Sequence, residues 1–168
     1  MNLEQLLTNA KTLQAEMQAG SVTRDVLMHH GQDIVEQQRI QLLEGKSSKG
    51  EDIHPFYTED IKPFGYFRTR ESAQRYAAWK ETLCYPYSVK RNANAPNLYV
   101  TGVFHNDLNV DFRADGVAIV PDTAYAANIM RKYGNDMFGL CAQRWHIIFD
   151  EKGAKEEVIQ AMKNILWQ

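Results

Sequence analysis

The sequence predicts an α+β fold in which N-terminal helices pack on a small antiparallel β-sheet and a C-terminal helix follows. Three observations predict it: a helical period of apolar residues over roughly the first 44 positions, strict alternation of polar and apolar residues over 107–113, and a second helical period from 154. Helices that precede and follow a hairpin, without an internal repeat, are typical of the α+β class.

The first helix is the clearest element. Its apolar residues fall within about 120° on a helical wheel, the width of a face that packs on a core. Gly20 follows this face and can adopt the left-handed backbone conformation that ends many helices. The face consists of Leu3, Leu6, Leu7, Ala10, Leu13 and Met17. We therefore expect this helix to bury that face.

A second helix is predicted from Thr23, which can cap it, to Glu44. As one piece it would be about 33 Å long and would span the body or protrude from it. Gly31 inside it costs about 1 kcal/mol relative to alanine. The apolar face consists of Val26, Leu27, His30, Ile34, Val35 and Leu42, with His30 as a hydrogen-bonded core histidine.

Residues 45–68 are predicted to form a long loop, because three glycines, two prolines and a serine pair interrupt any period. Disordered segments avoid aromatic residues, and this loop is rich in them. Loops longer than about 15 residues inside a domain are commonly functional. We expect this one to pack on its own domain or on a neighbour, as an assembly arm.

A third helix is predicted over about 69–83, with an irregular stretch at 84–97. Further along, Asp122 can cap a helix that Gly134 ends.

A β-hairpin is predicted around 107–120, because alternation marks a half-buried strand and Asp115-Gly116 is a favoured two-residue turn. Closing the hairpin at that turn pairs Phe112 with Ile119 on one face.

The C-terminal part is less uniform. Residues 135–153 fit either a strand, most strongly over 144–150, or a helix broken by a glycine, and a last helix is predicted over about 154–167. Met137, Phe138 and Leu140 lie in a glycine-bounded loop, where they form either a local plug in the core or an exposed partner site.

Length and composition favour a soluble protein with residues 1–168 in one domain. Apolar residues make up 44% of the chain, enough for a core. Nineteen basic and 21 acidic residues leave a net charge of −2, which excludes the broad positive surface of many nucleic-acid-binding proteins. No apolar run approaches the roughly 20 residues of a membrane span. The first residues lack the basic region of a secretory signal, and two cysteines without CxxC spacing fit a reducing cytoplasm.

Motifs for catalysis or ligand binding are absent from the sequence. The DxNxD pattern at 107–111 lacks two defining positions of a calcium loop, since Phe112 and Ala118 stand where Gly and Glu are needed. No HExxH or GxSxG occurs, and the GKSS segment at 45–48 lacks the earlier glycine of a phosphate loop. We therefore predict no catalytic residue, metal site or cofactor, and no enzyme. A site built from His and Asp residues distant in sequence stays the weakest alternative.

Residues 62–91 are locally basic and suggest a second function. They hold seven of the nineteen basic residues against two acids, with aromatic residues between them. Such a pattern is found where single-stranded nucleic acid is bound. The basic residues are Lys62, Arg68, Arg70, Arg75, Lys80, Lys90 and Arg91. The alternatives are a nucleic-acid-binding module and a charged helix beside a protein-binding loop.

Three segments together resemble a known family. They are GKSSKGEDI at 45–53, LYVTGVFHNDLNV at 98–110 and YAANIMRKYGNDMFGL at 125–140. In this order and spacing they resemble the virion-morphogenesis, tail-completion or head–tail joining proteins of tailed phages. The chain departs from that pattern in the possible strand at 144–150 and in the extra helix and aromatics of 54–97.

The resemblance implies a structural, non-enzymatic virion subunit, assembled in the host cytoplasm, that forms a homo-oligomeric ring at the neck or tail end. Its partners would be connector or portal-side proteins and the tail tube, and neither a membrane nor nucleic acid is expected as a partner. We expect apolar loop residues to form the contacts between subunits. These are Phe56, Tyr57, Phe64, Phe67, Phe138 and Leu140.

Overall fold

The structure, a computed structural model of the chain, describes residues 2–113 and 116–167. Within them the chain forms eight α-helices and one two-stranded antiparallel sheet, which confirms the predicted α+β fold. A 3₁₀ turn at Asn135–Met137 and a π turn at Ile147–Glu151 complete the helical structure. The elements are α1 (Leu3–Ala19), α2 (Ser21–His29), α3 (Gly31–Leu43), α4 (Arg70–Glu81), α5 (Val103–Asn106), β1 (Leu108–Arg113), β2 (Gly116–Pro121), α6 (Ala126–Tyr133), α7 (Ala142–His146) and α8 (Ala154–Leu166).

Helix α1 has the predicted limits but not the predicted burial. Asn2 and Gln5 form a reciprocal capping box at its start, and Gly20 ends it with a φ of 68°. No residue of α1 is buried. The helix packs on α8 along one side only, so Leu6 and Leu13 are half-buried while other apolar residues point outward. Those exposed are Leu3, Leu7 and Met17.

The predicted continuous helix from Thr23 to Glu44 is wrong. It is divided into α2 and α3 at His30, whose φ of −90° and ψ of 14° leave the helical region. Just after the break, a Cβ on Gly31 would lie 3.2 Å from the ring of Phe112. A glycine therefore lets the start of α3 lie close against β1. No helix of 33 Å forms here, and Thr23 is not its cap.

His30 is a buried, hydrogen-bonded histidine, as predicted. Its Nδ1 lies 3.1 Å from Oδ2 of Asp33, and its Nε2 lies 3.3 Å from Oε1 of Glu157. The imidazole thus connects the α2–α3 break to α8.

The β1–β2 hairpin forms with a register different from the prediction. Phe112 pairs with Val117, and Val110 pairs with Ile119. The predicted pair of Phe112 with Ile119 is therefore wrong, and Asp115 of the predicted turn lies outside the described residues. The shift is two residues, an even number, so each side chain keeps its face of the sheet. The alternation of polar and apolar residues therefore fits the predicted and the observed register equally well.

The main hydrophobic core is arranged around α3, β1 and the segment after α6. Its buried residues come from most of the chain, and residues of α6 and α8 pack at its margin. The assignment of the chain to one domain stays a prediction. Buried members include Val26, Ile34, Leu42, Phe104, Leu108, Ile119, Met137, Leu140 and Ile148.

Two buried glutamines of α3 hold residues 137–141 in this core. The amide of Gln38 donates to the carbonyl of Met137 at 3.1 Å and accepts from the N–H of Gly139 at 2.9 Å. The amide of Gln41 donates to the carbonyl of Gly139 at 2.9 Å and accepts from the N–H of Cys141 at 2.8 Å. We call these four hydrogen bonds the amide clamp. They satisfy peptide groups that neither a helix nor a strand pairs.

The clamp decides between the two interpretations of the apolar loop. Met137 and Leu140 are buried and Phe138 is half-buried against the core. The local plug is therefore confirmed.

The remaining elements mostly follow the sequence. Helix α4 starts at its cap Thr69, α8 has the predicted limits to within a residue, and 84–97 is irregular. The possible strand at 144–150 is wrong, because α7 and the π turn occupy it. Asp122 does not cap α6 but accepts a hydrogen bond from Asn109 at 2.9 Å. The short helix α5 was not predicted.

Replacement of Gln41 by alanine tests the amide clamp. The change leaves the carbonyl of Gly139 and the N–H of Cys141 buried without partners, so we expect the free energy of unfolding to fall by about 2–4 kcal/mol. Urea denaturation followed by circular dichroism measures it. The matched control is Gln32→Ala on the exposed side of α3. A loss no larger than that of the control would contradict the assignment.

Candidate assembly site

The structure separates the six residues that were predicted to form an interface. Tyr57, Phe67 and Leu140 are buried inside the subunit, so their assignment to a contact with a partner is corrected. Their apolar surface is already used by the chain's own packing. Phe56 and Phe138 are half-buried. Phe64 alone of the six is fully exposed, at 101% of its reference area.

The buried aromatics of the loop pack on α4 and form a second, smaller core. Tyr57 meets Tyr76 edge-on with ring centroids 5.1 Å apart, and Phe67 lies 5.2 Å from the same ring. Ala73 and Ala77, one helical turn apart on α4, complete this aromatic cluster. The loop was expected to pack on its own domain or on a neighbour, and these contacts are made within its own chain.

Beyond the cluster, residues 61–66 form a closed excursion that we call the tip. The N–H of Phe67 donates to the carbonyl of Asp60 at 2.9 Å, and the N–H of Lys62 donates to the carbonyl of Phe67 at 2.8 Å. A Cβ on Gly65 would overlap the backbone of Asp60. The tip can therefore close so tightly only with glycine at this position.

Asp60 fastens the tip to α6. One carboxylate oxygen accepts from the N–H of Tyr66 at 3.0 Å, and the other pairs with the ammonium of Lys132. Asp60 is buried, and the Lys132 nitrogen also lies 5.8 Å from the ring of Tyr66 and 5.3 Å from that of Tyr133. Cation–π contact and ion pairing thus act on one lysine. Both hold the base of the tip in one conformation.

The tip presents an apolar and basic surface on a fixed backbone. Phe64 and Tyr66 are exposed, and so are the flanking Lys62 and Arg68. Aromatic side chains dominate the binding energy of many protein interfaces, and a pre-ordered backbone lowers the entropy lost on binding. The chemistry of this surface suits contact with a protein partner or stacking with a base.

The predicted basic stretch 62–91 is only partly a surface. Five of its seven basic residues are exposed: Lys62, Arg68, Arg70, Arg75 and Lys90. Lys80 is buried, and the side chain of Arg91 is buried and paired with Glu81. Two charges are thereby removed from any phosphate-binding surface. The nucleic-acid-binding alternative stays a prediction with a smaller positive patch.

Lys80 lies in a buried polar cluster that sequence reasoning missed. Its ammonium donates to the carbonyl of Tyr99, and only 1% of the residue is exposed. Burial, with a smaller repulsion from Arg91, lowers the pKa of Lys80 to about 7. The spacing of Lys80 with Ala73 and Ala77, seven and three residues earlier, could have revealed that it shares their buried face.

His105 adjoins this cluster as a neutral imidazole. It is buried against the ring of Tyr99, with centroids 5.3 Å apart. Burial, followed by the charges of Lys80 and Arg39, lowers the pKa of His105 to about 3. Burial thus disfavours the charged forms of both Lys80 and His105.

Within residues 2–113 and 116–167, no three His, Cys, Asp or Glu side chains are grouped so that they could hold a metal ion. The expectation of an apo, non-enzymatic protein stays a prediction. No protein-family model, curated protein or solved structure matches the chain.

Replacement of Lys80 by methionine tests its buried state through pH. The folded pKa of about 7 lies below the ordinary 10.5, so between these values the unfolded chain binds one more proton. The contribution of Lys80 to the free energy of unfolding therefore rises with pH between these two pKa values, by up to about 1.4 kcal/mol per pH unit. The same contribution is lost as the pH falls towards 7. We expect the difference in unfolding free energy between wild type and Lys80→Met to follow this slope.

Urea denaturation at several pH values measures that difference. The control is Lys90→Met, which makes the same substitution at an exposed lysine. A constant difference between wild type and Lys80→Met would show that Lys80 keeps its proton.

Replacement of Gly65 by alanine tests the closure of the tip. The new methyl group would overlap the backbone of Asp60, so the tip must open. We expect a loss of about 2 kcal/mol or more in unfolding free energy and faster tryptic cleavage after Arg68. Lys62→Ala, at an exposed position of the same tip, is the control. Equal cleavage rates in both variants would be evidence against a tightly closed tip.

Proposed function

We propose that the chain is a non-enzymatic structural subunit of a tailed-phage particle, which assembles as a ring at the neck or tail end and joins the head connector to the tail. The observation that carries the proposal is the fully exposed Phe64 on a backbone-closed tip. An aromatic side chain held outside its own core by tight backbone hydrogen bonds suits a contact with another subunit.

Packing among the three resembling segments supports the same function. The N–H of Ser48, in the first segment, donates to the carbonyl of Asp136 in the third at 2.7 Å. Phe104, in the second, lies 6.3 Å from Phe138 and 6.4 Å from Tyr125 of the third. The segments that carry the resemblance thus belong to one packed unit.

The exposed side of α1 adds to this support. Leu3 is 72% exposed, and Leu7 and Met17 are also turned away from the chain. Exposed apolar residues that share a helix face often mark a protein contact. A ring subunit in a particle would use more than one such contact, with its copies and with the connector or tail tube.

The proposed setting is the virion, with assembly in the host cytoplasm. Among the described helices, none combines the length and the apolar character that crossing a membrane requires.

A nucleic-acid-binding module is the second candidate. It is favoured by the exposed Lys62, Arg68 and Arg70 beside the exposed rings of Tyr66 and Trp79. Titration of single-stranded DNA at several salt concentrations tests it, because phosphate contacts weaken steeply with salt. Absence of binding at low salt removes this candidate.

The proposed function predicts the mass of the native protein and its place in the particle. Light scattering of the purified chain, alone and with neighbouring virion proteins, should give a multiple of the 19.3 kDa subunit. The chain should also be present in purified particles. A protein that stays monomeric in every mixture and is absent from particles would refute the proposal.

A further inference from the structure

A groove between α2 and α8 has the shape to receive an aromatic side chain. Its volume is about 520 Å³, within the range of sites that bind small ligands. The apolar part of its lining is formed by Val22 and Val26 of α2 and by Ala161 and Ile165 of α8. We call this the α2–α8 groove. Its walls are helical on both sides, and Val26 of its lining belongs to the main hydrophobic core.

The rim of the α2–α8 groove is acidic. Glu16, Asp25 and Glu157 line it, and among its described lining residues none is Lys or Arg. Glu157 lies 3.5 Å from Nδ1 of His29, which also lines the groove, and 3.3 Å from Nε2 of His30. Glu16 accepts a hydrogen bond from Ser21. The side chain of Asp25 is 69% exposed and lies 3.8 Å from Nε of the neighbouring Arg24. The groove therefore favours an apolar group with positive charges beside it.

The tip and its flank have the complementary chemistry. Residues 61–70 contain Lys62, Arg68 and Arg70 and no acidic residue. All three bases are exposed, on both sides of the exposed rings of Phe64 and Tyr66. An aromatic group between positive charges thus faces outward on the same chain that carries an apolar groove with a negative rim.

We propose that the tip of one subunit binds in the α2–α8 groove of a second copy of the chain. This inference rests on the proposed role as an assembling subunit and names the two surfaces that would meet. Phe64 is fully exposed, so the groove is not filled by the tip of its own chain. The contact joins two different surfaces of identical subunits, and such contacts repeat from subunit to subunit, forming a ring where the rotation between neighbours closes.

Complementary charge sets the orientation of this contact. Lys62 and Arg68 lie beside Asp25 and Glu157 of the neighbour, while Phe64 occupies the apolar part of the groove. Charges at the rim of an interface mainly increase the rate of association and exclude wrong partners. Assembly therefore weakens as salt rises, whereas the buried aromatic ring limits dissociation.

Charge exchange between the two surfaces tests the inference. One variant carries Lys62→Glu and Arg68→Glu on the tip and its flank. Another carries Asp25→Lys and Gln160→Lys, since Gln160 of α8 also lines the groove. The third combines all four changes. Each pair of changes should weaken self-association about tenfold or more, and the combined variant should regain most of it. Light scattering over a range of concentrations measures the assembly. Phe64→Ala should weaken it by a similar factor.

Two control variants match these changes in kind. Arg131→Glu reverses an exposed charge on α6, and Trp79→Ala removes an exposed aromatic ring from α4. Both should assemble like wild type. Circular dichroism and urea denaturation show that each variant is folded, so that a loss of mass reports on assembly.

The outcomes separate this inference from the proposed function. Three outcomes each overturn the inference. The tip and groove variants assemble like wild type, the combined variant assembles no better than either parent variant, or the wild type is monomeric. Loss of single-stranded DNA binding, rather than of assembly, in the tip variant also overturns it. If charge exchange restores assembly but the chain is absent from particles, the inference holds and the proposed function fails. If the chain is present in particles but charge exchange leaves self-association unchanged, the proposed function holds and the inference fails.

Discussion

The amide clamp of Gln38 and Gln41 is the interaction on which the rest of the structure depends. The segment 137–141 brings apolar side chains into the core, yet the carbonyls of Met137 and Gly139 and the N–H groups of Gly139 and Cys141 are paired by glutamine side chains and not by a helix or strand backbone. Each such group left unpaired in the interior would cost about 1–3 kcal/mol. Helix α3 supplies the partners, which fixes the segment against α3. On the same helix Gln37 accepts from Arg144 of α7 at 3.0 Å, so the C-terminal helices take their position from α3 as well.

The aromatic loop depends on this arrangement through α6. Lys132, five residues before the clamped segment, reaches the buried Asp60, and Asp60 in turn holds the base of the tip. An ion pair in such a place is not a large source of stability, but removing one partner leaves a buried charge. The main effect of the Asp60–Lys132 pair is therefore to position the base of the tip against α6. Phe64 is exposed because the backbone around Gly65 is closed, and not because packing beneath it is poor.

Much of the fold could be predicted from periodicity, and the failures have physical causes. An apolar face such as that of α1 predicts burial without saying whether the covering surface is in the same chain. Alternation determines the faces of β1 and β2, but a register shift of two residues preserves both faces. The close approach of Gly31 to Phe112, just after the break at His30, joins residues 81 positions apart, and a local period does not reveal it. Among the six predicted interface residues, Phe64 is the one that is fully exposed. The sequence could not identify it, because the pattern of aromatic residues does not distinguish the rings that pack on α4 from the ring of Phe64.

The one-sided packing of α1 has a consequence for how the molecule opens. With no buried side chain, and with contacts to α2 and α8, this helix contributes little to the core. Segments of this kind detach in partial unfolding events whose free energy is well below that of global unfolding. Backbone amides of α1 should thus exchange with solvent long before those of α3. A neighbour that covers Leu3, Leu7 and Met17 would slow that exchange, which makes the amide protons of α1 an internal reporter of whether the outer face is occupied.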